Sequence, residues 1–127
     1  MKIKIDNSAK VPIYEQIKKQ IKDSILDINT NEDIKLPSIR ALSNEIDISL
    51  MTVKKAYDEL LDEGFIVTIP GKGSYINKKS IGLVRKEKIK EIEKHLEEAI
   101  TISKKINLTK EELLTYYLKL EKKKRNN

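Results

Sequence analysis

The chain has 127 residues, 39% apolar and 36% charged, with five tyrosines, one phenylalanine and no cysteine. This length suits one small domain with an appendage, and the missing cysteines exclude a disulfide framework, a thiolate metal site and Cys nucleophiles. The net charge of +6 is uneven: residues 1–77 carry 11 basic against 12 acidic side chains and residues 78–127 carry 15 against 8, so any positive surface on the first part must be local.

The opening MKIKIDNSAK has no long apolar run. Neither a signal peptide nor a membrane span is expected, and a cytoplasmic chain follows. These ten residues read as an arm with a short extended piece at Ile3–Ile5. Pro12 opens a helix in which Ile13, Ile17, Ile21, Ile25 and Ile28 form one stripe. Proline in a first turn sacrifices no hydrogen bond there. Lys18, Lys19, Lys22 and Asp23 read as the opposite, solvated face, and Asn29-Thr30-Asn31 begins a polar loop reaching Leu36.

Leu36-Pro37-Ser38 is strong punctuation, with Ser38 placed to cap a short helix from Ile39 to about Ile46. Asp47-Ile48-Ser49 makes a turn, and Ser49 caps a third helix running to about Glu63, with Val53, Ala56, Tyr57, Leu60 and Leu61 as its packing stripe. Gly64 suits a left-handed helix end. Phe65–Ile69 is β-branched and aromatic, Pro70-Gly71-Lys72-Gly73 is turn chemistry, and Ser74–Ile76 returns as a second strand. Two strands alone are marginal and must lean on the helices. Residues 78–82 read as a linker. A long amphipathic helix from about Leu83 to Lys105 follows, its stripe made of Ile89, Ile92, Leu96, Ala99 or Ile100, and Ile106. Thr109 and Glu112 form a capping box for a last helix to roughly Lys122, with Leu113, Leu114, Tyr116, Tyr117, Leu118 and Leu120 as its apolar positions. The Lys122–Asn127 tail reads as frayed.

Helix, tight turn, helix and hairpin in that order is a winged helix-turn-helix, which lays one helix in the DNA major groove. The first turn of that helix faces base edges. Here it holds Ser49, Leu50, Met51 and Thr52, with Lys54 and Lys55 one turn on. The hydroxyls can bond to phosphates or bases, and the apolar pair can pack on thymine methyl groups. Arg40 suits a backbone clamp, and Gly71-Lys72 forms the tip of the wing. Gly-Lys-Gly is not a phosphate-cradling loop, because no Lys-Ser/Thr pair is present and a strand rather than a helix follows. His95, among Lys94, Glu97 and Glu98, reads as a surface residue.

The chain resembles the GntR family of bacterial regulators, in particular its small YtrA-like branch. The resemblance is carried by Pro-Ile-Tyr-Glu-Gln-Ile at 12–17, Leu-Pro-Ser-Ile-Arg at 36–40, Thr-Val-Lys-Lys-Ala-Tyr at 52–57, Glu-Gly at 63–64 and Gly-Lys-Gly-Ser-Tyr-Ile at 71–76. It implies a homodimer on a pseudo-palindromic operator, with Arg40, Ser49 to Thr52, Lys54, Lys55, Gly71 and Lys72 at the DNA. Three departures stand out. Lys replaces the Arg often found in the basic pair and loses its bidentate fork. Leu50 and Met51 replace more polar residues, and the loop of residues 29–35 lacks the usual Pro-Gly turn.

The expected fold is mainly α with a small β-hairpin wing: a winged helix-turn-helix head at residues 1–77 and a two-helix dimerisation segment at 83–127. Two helices of this size cannot bury their apolar faces alone, so a second copy is the expected cover. A small-molecule effector between head and helices is compatible with this design. No enzyme chemistry is expected, because no Ser-His-acid set, paired carboxylates or phosphate loop occurs, and no cofactor or metal is implied. The rival class is a winged helix used only for protein interaction, which the near-neutral head keeps in view.

Overall fold

A computed structural model describes residues 2–27 and 33–126; Ile28, the loop residues 29–32 and Asn127 lie outside the described residues. The chain divides into two compact units, residues 1–87 and 88–127.

The first unit contains α1 (Ile13–Ile25), α2 (Ile39–Ile46), α3 (Leu50–Asp62), and the antiparallel pair β1 (Ile66–Ile69) and β2 (Gly73–Ile76). A 3₁₀ turn at Lys78–Ser80 leads into α4 (Ile81–Lys105), whose first turns belong to this unit. Helix α3 is the centre, packing against α1, α2 and β1. Its stripe of Val53, Ala56, Tyr57 and Leu60 is buried against Ile17, Ile21 and Ile25 of α1, Leu42 of α2, and Phe65, Ile66 and Ile76 of the wing. Each fully buried Ile or Leu contributes about 2 kcal/mol of transfer free energy, so this one cluster accounts for the order of the whole head.

Four local findings differ from the sequence reading. The arm is tied down rather than loose. Ile3 is buried, the Lys4 amide donates to Gln20 Oε1 at 2.9 Å, and the Asp6 amide donates to Gln16 Oε1 at 2.9 Å. Lys18 is not on a solvated face; it is buried, with its ammonium 2.8 Å from both Glu59 of α3 and Glu63 just past the end of that helix. Burial alone would lower its pKa, but those two carboxylates outweigh it and hold the amine above its ordinary range. Where a linker is expected at 78–82, Asn77 caps the 3₁₀ turn, Ser80 Oγ donates to Asn77 O, and Val84 is buried in the core. The last helix, α5 (Lys110–Arg125), continues past Lys122 to Arg125, three residues into the tail read as frayed.

The second unit is the rest of α4 and α5. Thr109 and Glu112 make both halves of the capping box, at 3.1 and 3.0 Å. Asn107, at φ 55°, turns the chain between the helices in a left-handed conformation that Asn tolerates well. Among its described residues Ser103 alone is buried; Leu108 and Leu113 are half-buried and the other large apolar side chains stay open.

Candidate nucleic-acid interface

The helix-turn-helix angle is set by a short run of hydrogen bonds. Asp47 ends α2 at φ 55°, and its amide donates to Ser43 O. The Ile48 amide donates to the same carbonyl at 3.1 Å, while Ser43 Oγ donates back to Ile48 O. Ser49 then caps α3, accepting from the Thr52 amide at 3.2 Å, with the two hydroxyls 2.9 Å apart. Ser38 caps α2 in the same way, accepting from the Ala41 amide at 3.0 Å. Tyr57 locks the two helix starts to the core, its hydroxyl donating to Pro37 O at 2.7 Å. Burial, helped by the Glu45 charge, pushes that phenol up to about 12.

With one face of α3 buried, Met51, Lys54, Lys55 and Asp58 recur three and four apart on the other, and all are exposed. Met51 is the most open large apolar side chain among the described residues, at 76%. Lys54 pairs with Asp58 at 2.6 Å, and Lys55 lies 4.1 Å from the Tyr14 ring centroid. Such exposed ties hold only a few tenths of a kcal/mol to about 1 kcal/mol, so a phosphate can displace them. Arg40 stands exposed in the first turn of α2.

The wing tip is built by conformation. Gly71 sits at φ 75° and Gly73 at φ 107°, and the Lys72 amide donates to Ile69 O at 2.9 Å, leaving the Lys72 side chain exposed. A Cβ at Gly73 would approach Lys35 Cε to 3.1 Å. Sequence reasoning missed that neighbour. Lys35 bridges Tyr75, and two backbone bonds of 2.9 Å, Leu36 N to Ser74 O and Ile76 N to Ile34 O, add residues 34–36 as a third edge of the wing. The signal was the Ile-Lys-Leu alternation just before Pro37. The expected residues thus fall in three places: Arg40 at the start of α2, Ser49 to Lys55 along α3, and Gly71-Lys72 on the wing.

A model of the bacterial regulatory proteins of the gntR family matches residues 13–76, the span that contains all three. The chain belongs to the gntR family. It is 39% identical over 98 residues to the HTH-type transcriptional repressor YtrA of Bacillus subtilis (strain 168), across 77% of this chain and 75% of that one. The HTH-type transcriptional repressor NagR of the same organism is 35% identical over 74 residues, 58% of this chain but only 30% of NagR. A solved GntR family transcriptional regulator from Listeria monocytogenes aligns with a TM-score of 0.70 at 27% identity, covering 91% of this chain and 98% of its own. The family and these relatives are transcriptional regulators, not enzymes. Among the described residues of this gntR-family chain, no His, Cys, Asp or Glu group could hold a metal ion, and no helix is long and apolar enough to cross a membrane.

Proposed function

We propose that this chain is a cytoplasmic repressor that binds a pseudo-palindromic operator in double-stranded DNA as a homodimer. The observation that carries the reading is the exposed outer face of α3, capped at Ser49 and backed by a fully buried stripe, inside the span matched to the family. Residues 1–77 form the reading head. Ser49 to Thr52 meet base edges, Arg40, Lys54 and Lys55 meet phosphates, and Gly71-Lys72 brings the wing to the adjacent groove. Residues 83–127 hold two heads together. Support for this comes from α4 and α5, which leave an apolar groove of about 640 Å³ lined by Leu96, Ile100, Leu113, Tyr117 and Leu120 among others.

Selection of bound sequences from a random duplex pool, followed by titration of the winner at two salt concentrations, tests the reading. An inverted repeat whose affinity falls steeply with salt is expected. A folded dimer that enriches no sequence would instead favour the protein-interaction role that the near-neutral head permits.

A further inference from the structure

We infer that Met51, with Leu50 beside it, is the specificity-determining reader of α3, and that each half-site presents a thymine methyl group to it. The inference deepens the DNA-binding reading above and rests on it. The polar groups in the first turns of α3 offer little discrimination between bases. Ser49 Oγ accepts from the Thr52 amide and lies 2.9 Å from the Thr52 hydroxyl, so the cap fixes both oxygens and leaves one O–H of the pair to donate outward. The lysines offer point charges without the planar fork that recognises guanine. Lys54, 2.6 Å from Asp58, and Lys55, 4.1 Å from the Tyr14 ring centroid, are tied weakly enough to swing to phosphates, which carry no sequence information.

The most open side chain at the tip of the helix is apolar. Met51 is 76% exposed and Leu50 40%, at the second and first residues of α3. In the major groove the C5-methyl of thymine is the one base substituent that an apolar side chain can recognise. The unbranched thioether of Met51 adapts its shape to such a target. Exposure therefore becomes burial only at an A·T pair with its thymine on the strand facing α3. A cytosine there would offer only a C5–H where thymine has its methyl group.

The test uses the full-length protein and its selected operator, with each thymine replaced in turn by deoxyuridine. That change deletes one methyl group and leaves pairing intact. At one position in each half-site, uridine should weaken binding about fourfold, and about fifteenfold when both half-sites are changed, the size expected for one buried methyl each. Met51→Ala should lose most of the preference for thymine over uridine at that position, whereas Met51→Leu should keep it. Uridine tolerated at every position, or an unchanged thymine preference in Met51→Ala, would overturn the inference while leaving specific DNA binding intact. Failure to select any duplex would remove the DNA-binding reading, and this inference with it.

Discussion

The two compact units bury their apolar residues very differently. In residues 1–87 the isoleucines of α1, the stripe of α3 and the wing meet in one closed cluster. In residues 88–127 most large apolar side chains from Ile89 to Leu120 stay open, at 44–67%, with Leu108 and Leu113 half-buried. Yet the second unit has the better-made helix start, a complete capping box at Thr109. Caps and periodicity specify a helix, while burial decides whether it has a reason to stay in place. The head carries its own core; the helical pair has the pattern of a core without its other half.

The comparison breaks most severely under truncation. Removing residues 88–127 should leave the head folded and lower operator affinity about a hundredfold or more, because two linked heads act at high effective concentration; binding titrations and a melting curve read both. The cut must follow Glu87, since Val84 is in the core and Glu87 lies 3.1 Å from Lys22. Next in size, Leu60→Ala should destabilise the head by about 3 kcal/mol in urea unfolding, whereas Leu118→Ala should leave the head's transition in place and weaken self-association.

A smaller, pH-dependent effect belongs to the head alone. Both Lys18 and Tyr57 have folded pKa values above their ordinary 10.5 and 10.0. Their stabilisation is therefore whole below about pH 10 and is lost as pH rises through the folded values. Unfolding between pH 8 and 12 should show Tyr57→Phe losing about 2 kcal/mol less than the native chain over the alkaline limb, after a hydrogen-bond loss of about 1 kcal/mol at neutral pH. The smallest effect compares the two left-handed residues directly. Asp47→Gly should raise head stability by about 0.5 kcal/mol, while Asn107→Gly should leave head melting unchanged.

Much of this was legible in the sequence. Ser38, Ser49 and Thr109 announced three helix starts, Gly64 a helix end, and the Gly-Lys-Gly turn the wing, because each is a local signal carried by one or two side chains. What escaped was non-local. Lys18 reads as solvated until Glu59 and Glu63, more than 40 residues away, arrive with α3. Gln16 and Gln20 give no hint that they hold the arm, and residues 34–36 join the wing only through backbone bonds. Gly82 suggested a linker, yet one glycine in a helix costs only about 1 kcal/mol against Ala, which burial of Val84 offsets. At the candidate interface, the residue types were readable, but not that the hydroxyls of Ser49 and Thr52 would pair while Met51 stayed exposed.

Sedimentation equilibrium of the full chain and of residues 1–87, side by side at micromolar concentrations, tests the contrast most directly. The account predicts a dimer for the full chain and a folded monomer for the head. A full chain that stays monomeric with α4 and α5 still helical, or a head that dimerises without them, would contradict it.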